Sequence, residues 1–221
     1  MKKRALIFGT TDFAEIAFVY LSQDSLYQVE AFTVHERFID KPSLLGLDVV
    51  PFETIEEKYP PSEYAIFVAI GFTRLNALRT EMYDLCKSKG YEMVQYVNSK
   101  ATHWGHISLG DNTFIFENNV LQPFVKIGNN TILWSGNHVG HHSRIGNNCF
   151  IASHVVICGK VTIGDNCFIG VNATLHHGVT VASGCIIGAG ASITKDTIEK
   201  GVYRGPKTEA SPIKSDQLPN F

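Results

Sequence analysis

Residues 127–170 read IGNNTILWSGNHVGHHSRIGNNCFIASHVVICGKVTIGDNCFIG, and within them the chain repeats itself every 18 residues. Ile127-Gly128-Asn129-Asn130, Ile145-Gly146-Asn147-Asn148 and Ile163-Gly164-Asp165-Asn166 are copies of one tetrapeptide. One step upstream stands Leu109-Gly110-Asp111-Asn112, and one step downstream the degenerate Val181-Ala182-Ser183-Gly184. Six residues beyond each first position comes a second column: Ile115, Leu133, Ile151, Ile169 and Ile187. Six more give a third: Leu121, Val139, Ile157, Leu175 and Ile193. All fifteen positions are Ile, Leu or Val in a chain that is 44% hydrophobic. Chance would achieve that less than about once in a thousand.

A hexad is one short strand and a turn, and three hexads close a triangular coil. The aliphatic residue of each points into the prism. Successive coils stack at the parallel-strand spacing of about 4.8 Å. The Gly-Asn and Gly-Asp pairs are expected to supply backbone freedom and side-chain hydrogen bonds at the turns. Thr113, Thr131, Cys149, Cys167 and Cys185 fall into register as a ladder of small side chains. Core filling is the expected role of those cysteines.

Residues 1–97 follow another rule. Ala5-Leu6-Ile7-Phe8 is a buried strand and Gly9-Thr10-Thr11 a turn. Asp12 with Glu15 makes a capping box opening a helix over 13–22. Strands are expected over 29–34 and 64–70, a helix over 73–89, and a closing segment over 91–97. Alternating β and α elements imply a small parallel sheet of Rossmann-like type. The fold class is therefore mixed. A Rossmann-like α/β domain over 1–97 precedes a parallel β-helix over 98–206, and a tail over 207–221 crosses the surface. A helix N-terminus after the first strand suits a phosphate, although Gly9-Thr10-Thr11-Asp12-Phe13-Ala14 keeps only the first glycine of GxGxxG. A sheet of this length holds a mononucleotide more readily than a dinucleotide.

Bulk properties exclude several classes. A net charge of −2 gives no electrostatic footprint for nucleic acid. No apolar run approaches the roughly 20 residues of a membrane span. The five cysteines form no CxxC pair, which argues against a disulfide framework and fits a reducing cytoplasm.

Six of the nine histidines lie between 138 and 177. In Asn137-His138-Val139-Gly140-His141-His142, Val139 faces the core, so His141 and His142 stand at the corner, where side chains leave the prism. Other coils place Pro123-Phe124, Gly159-Lys160, His177-Gly178 and Lys195-Asp196 there. The repeat does not require histidine at this corner. A neutral imidazole is suited to take a proton at cytoplasmic pH, and either His141 or His142 can serve.

Five coils of clean hexads resemble the left-handed β-helix acyltransferases. The order of the two halves resembles the bacterial nucleotide-amino-sugar N-acetyltransferases and the sialic-acid O-acetyltransferases. That resemblance implies a homotrimer with active sites between neighbouring prisms, and acetyl-CoA as co-substrate. It implies that the first domain holds a nucleotide-linked amino sugar of surface-glycan synthesis. The base of those N-acetyltransferases stands four residues before an Ile-Gly pair, which selects His141. The next residue there is usually acidic but here is His142, so His138 or a neighbouring subunit is expected to orient the base. By the same resemblance Gly159 donates its N–H to the oxyanion. Gly159, His177, Gly188, Ala189, Gly190 and Lys195 line the coenzyme groove, with Arg204 and Lys207 near its phosphates. Gly9, Thr10 and Thr11 lie near the diphosphate, His35 and Glu36 near the base, and Gly71 to Arg74 in the same crevice. Trp134, Asn137 and His138 frame the sugar. For Trp134, packing at a subunit interface is an equal expectation, and for the Gly188–Gly190 run, tight packing of the last coil.

Other functions fit less well. The trimeric zinc carbonic anhydrases share the prism but pair one histidine with two others five residues apart. The partners of His177 at that spacing are Asn172 and Ala182, so no metal is expected. His141 and His177 stand two coils apart, roughly 10 Å. A hydroxyl acceptor needs a stronger base arrangement than an amine. The amine is preferred, leaving O-acetylation of a sialic-acid-like sugar as the alternative.

Overall fold

A computed structural model describes residues 2–218; Pro219 and the last residues of the expected tail lie outside them. The N-terminal unit is a six-stranded sheet. In chain order it comprises β1 (Lys3–Phe8), α1 (Asp12–Gln23), β2 (Tyr27–Val34), β3 (Ser43–Leu44), β4 (Leu47–Pro51), α2 (Ile55–Lys58), β5 (Tyr64–Val68), α3 (Ala77–Ser88) and β6 (Glu92–Met93). The strand order is β3-β4-β2-β1-β5-β6, parallel except for the β3–β4 hairpin. Buried on both faces, β1 and β5 are near-continuous apolar runs, as covered parallel strands are.

Local readings need correction. The expected capping box does not form: Thr11 is the N-cap of α1 and makes no side-chain cap bond, while Asp12 opens the helix. The second helix starts four residues late, because Arg74, Leu75 and Asn76 all take left-handed φ. The segment expected to close the sheet is split. Glu92–Met93 stays with it, but Tyr96–Val97 already pairs with Phe114–Ile115 as the first rung of the prism.

From Tyr96 to Tyr203 the chain winds a three-sided parallel prism, with sheets of seven, six and five two-residue strands. The three columns read from the sequence are its three inward faces, and apart from the half-buried Leu109 all are buried. Every sixth residue from His106 to Gly190 has positive φ. This single left-handed residue is the turn of each hexad, which explains why Asn and Gly dominate there.

The Gly-Asn pairs work differently from the expectation. The freedom in φ belongs to the second asparagine: Asn112, Asn130, Asn148 and Asn166 lie at +48° to +57°. Asn112 and Asn130 each pass an amide hydrogen bond to the next asparagine of the column, at 2.7 and 2.8 Å. The first member caps the preceding coil, since Asn147 Oδ1 accepts from Asn129 N at 2.8 Å and Asp165 Oδ1 from Asn147 N at 2.7 Å. The glycine is needed for close approach. A β-carbon on Gly128 would stand 2.7 Å from the Gly146 carbonyl of the next coil. The Thr/Cys ladder fills the core and also hydrogen-bonds: Thr131 Oγ1 donates to Gly146 O at 2.8 Å, and the Cys149 thiol to Gly164 O at 3.1 Å.

One prism face carries a second apolar column pointing outward: Phe114, Ile132, Phe150 and Phe168. It packs against α1 and the sheet in one shared cluster with Phe13, Phe67 and Tyr96. Arg79 of α3 closes the adjoining corner. It is fully buried and donates to the carbonyls of Asn130 (3.2 Å), Asn148 (3.1 Å), Cys149 (3.0 Å) and Gly71 (2.5 Å). Burial pulls its guanidinium down to about 9, so it stays charged at neutral pH, neutralised by carbonyl dipoles rather than by a carboxylate.

Candidate active site

The structure brings the catalytic candidates together at one vertex, the one opposite the face that the N-terminal unit covers. His142 carries the left-handed turn of its hexad, φ +61°, which lets His141 project outward at the corner. Both are exposed. The His141 backbone N–H is held by Gln122 Oε1 at 2.8 Å. The His141 and His142 Nδ1 atoms lie 3.1 Å apart. Of the two expected orienting partners, His138 or a neighbouring subunit, His138 makes no hydrogen bond to either ring among the described residues: it sits on a strand, paired with Val120 and Val156. The His142 ring leans on Phe124, centroid to centroid 4.7 Å.

His141 Nε2 faces the next coil. A β-carbon on Gly159 would come within 2.7 Å of it, so glycine leaves the space the imidazole needs. Among the described residues the Gly159 N–H has no acceptor. The His177 ring centroid lies 6.3 Å from that of His141. The 10 Å expected from coil spacing is thus shortened by side-chain tilt. A proton acceptor and an unused N–H donor therefore share one exposed patch, the pairing that acyl transfer requires.

The predicted nucleotide residues also converge. Gly9, Thr10, Thr11, His35 and Gly71 line one cavity of about 320 Å³ at the C-terminal ends of β1, β2 and β5, with Phe8, Phe38, Ile70 and Met82. Gly9 is required there by φ +131° and by contact with Ala69, whose carbonyl oxygen a β-carbon would meet at 2.9 Å. Sequence reasoning missed Glu53. Its carboxylate accepts from the His35 ring at 2.8 Å and from Glu36 N at 3.0 Å, and the His35 contact, the larger influence, holds it below the usual carboxylate range.

Other candidates are placed away from the cavity or engaged within the chain. Glu36 is spent on a 3-10 turn beside Glu53 and does not line the cavity. Arg74 turns away and pairs with Glu81 at 2.9 Å. Asn137 cannot frame a sugar. It is buried, donating to Trp134 O and accepting from Val155 N. Trp134 stacks among Phe13, Phe116 and Phe150, inside the junction between the two halves of one chain. Gly188 and Gly190 are accounted for by packing of the last coil. A β-carbon on Gly188 would reach Gly205 N at 2.8 Å, and Pro206 sits against Gly190. Lys195 is exposed. Among the described residues no three His, Cys, Asp or Glu side chains of the chain are placed to hold a metal ion.

The architecture is a left-handed parallel β-helix built of hexapeptide repeats. Residues 125–159 match the bacterial transferase hexapeptide family, and residues 160–195 the hexapeptide repeat of succinyl-transferase. Among solved structures the chain is similar to the acetyltransferase domain of PglB from Neisseria gonorrhoeae (20% identity, 91% of this chain and 96% of that one, TM-score 0.81). It is also similar to PerB from Caulobacter crescentus, solved with CoA and GDP-perosamine (24% identity, 90% and 92%, TM-score 0.79). WeeI from Acinetobacter baumannii shares the fold at 17% identity (86% and 93%, TM-score 0.64). No curated protein sequence matches the chain. At these identities the likeness establishes the two-part fold, a Rossmann-like unit leading into a left-handed prism.

Proposed function

We propose that the protein is an acetyl-CoA-dependent N-acetyltransferase acting on a nucleotide-linked amino sugar, with His141 as general base. The observation that carries this is the corner itself: His141 Nε2 over Gly159, beside a backbone N–H that nothing among the described residues uses. His142 is the weaker candidate for the base because its ring is turned onto Phe124. The acceptor amine attacks the thioester carbonyl, so a C–N bond forms as the C–S bond breaks. His141 takes the amine proton and returns it to the departing thiolate, while Gly159 N–H meets the oxyanion. The fold neighbours support the substrate classes, since PerB was solved with CoA and a GDP-linked sugar.

The cavity at the end of β1 suits the nucleotide. It lies on the unit covering one prism face, whereas His141 occupies the vertex opposite. A sugar held by one chain is therefore served by the histidine of another, which favours a trimer with sites between subunits. A surface-glycan sugar and a cytoplasmic location complete the proposal; no helix among the described residues is long and apolar enough to cross a membrane.

The test is thiol release from acetyl-CoA with UDP-, GDP- and dTDP-linked amino sugars. Release with at least one, with an N-acetyl product, is expected. Transfer only to hydroxyls, or zinc bound at three ions per trimer, would overturn the proposal.

A further inference from the structure

The base and its neighbour are both imidazoles, joined through the same ring atom. His141 Nδ1 and His142 Nδ1 lie 3.1 Å apart, and a hydrogen bond between them needs a proton on one of the two nitrogens. For His141 to accept a proton at Nε2, that proton belongs to its own Nδ1, so His142 Nδ1 is the acceptor and His142 Nε2 carries the hydrogen. We propose that His142 is the positioning residue of His141, and that the pair makes the base fail in acid with two protons instead of one. The proposal rests on His141 being the base.

Protonation of His141 at Nε2 removes the base directly. Protonation of His142 at Nδ1 turns its only acceptor into a donor, so two N–H groups confront each other and the His141 ring loses its tether. The active form requires both rings neutral. An orienting carboxylate stays an acceptor throughout the neutral range, whereas a neutral imidazole has a single acceptor nitrogen that protonation abolishes. The other titratable groups facing the pair are His177, 6.3 Å from the His141 ring, Lys160 one coil on in the His142 column, and His106, stacked on the far side of Phe124. Cys158 precedes Gly159, and Arg144 follows the corner on its strand. Gln122 and Phe124 supply the uncharged contacts. Among the described residues no carboxylate is hydrogen-bonded to either ring.

His142 sits at φ +61°, so a fair variant must tolerate the left-handed turn. Asparagine does, as at Asn130 and Asn148, and its amide oxygen is an acceptor that does not titrate. We expect His142→Asn to keep activity at pH 8 within about fivefold, with an acid limb of log(kcat/KM) one unit shallower than wild type. The substrate amine contributes equally to both limbs and cancels. His142→Gly, which suits the turn but offers no acceptor, should lose about tenfold or more at pH 8. Equal limbs in wild type and His142→Asn would overturn the proposal. A readout independent of turnover is ¹⁵N NMR of the histidine rings in the free protein at pH 8. It should find the His141 proton on Nδ1 and lost from the hydrogen bond as His142 titrates; a His141 proton on Nε2 would overturn it. Absence of acetyl transfer to any sugar nucleotide counts against the proposed function, while the NMR result still decides the hydrogen bond.

Discussion

At the scale of single residues, the proposed chemistry depends on two atoms that the repeat left free: an imidazole nitrogen and a glycine N–H. His141→Ala is expected to lower turnover by about 100-fold or more with assembly unchanged, measured by steady-state kinetics beside sedimentation. Gly159→Ala tests the geometry differently. Its methyl would stand 2.7 Å from His141 Nε2, so the ring must move, and we expect at least about a tenfold loss of kcat with little change in melting temperature. The exposed corner position of His141 was legible from the period, and its interest from the unrelated residues that other coils carry there. Asn137 was misread because polarity beside histidines suggested a ligand contact. The signal against that was present in Asn119, 18 residues earlier, which is equally buried and also donates to the Trp134 carbonyl. Glu53 was not legible, since only the folded sheet brings β4 beside β2 and its carboxylate to His35.

At the scale of elements, the coil is held by three devices working in register: inward aliphatics, amide ladders and glycine contacts. Gly128→Ala places a methyl 2.7 Å from the Gly146 carbonyl backbone. Backbone cannot yield as a side chain does, so a loss of about 1–3 kcal/mol is expected, read from the urea midpoint. The period made the inward columns readable, because solenoid packing is local and each coil repeats its neighbour's constraints. Helix boundaries were less readable. The start of α3 is delayed by three consecutive left-handed residues that its composition does not announce, and they place Asn76 where its amide donates to the Cys167 carbonyl at 3.2 Å. Arg79 left no sequence signal either, since its partners are main-chain carbonyls distant along the chain. Arg79→Met should cost about 3 kcal/mol by leaving those carbonyls buried and unpaired, seen as an earlier thermal transition.

At the scale of the whole molecule, two differently built halves are fused through one prism face. Which face is covered can be read one residue before the inward columns. Phe114, Ile132, Phe150 and Phe168 precede the second column, whereas Lys126, Arg144 and Thr162 precede the first. The rim of this junction is ionic. Asp24 accepts from Tyr96 at 2.6 Å and Ser99 N at 2.8 Å, and Glu117 accepts from Tyr20 at 2.7 Å. Burial, the largest influence on both carboxyls, raises them, but their hydrogen bonds outweigh it and both end below their ordinary values. A depressed folded-state value means stability fully present above the unfolded value near 4 and lost as pH falls through the folded one. Thermal melts should therefore fall below about pH 4, and Asp24→Asn should flatten that fall.

The proposed reaction depends on that covered face. The cavity at the end of β1 belongs to the unit on that face and the histidines stand at the opposite vertex, so acetyl transfer is predicted at the corner of an assembled particle. The most direct measurement is thiol release from acetyl-CoA, with the best sugar nucleotide, in a mixture of His141→Ala chains and chains whose cavity is blocked by Gly71→Trp, at a cavity-lining position where an added β-carbon meets nothing within 4 Å. Activity regained on mixing two inactive proteins, up to about a quarter of wild type after random assembly of trimers, is the predicted result. Two inactive variants that never complement each other, or a His141→Ala protein as active as wild type, would contradict it.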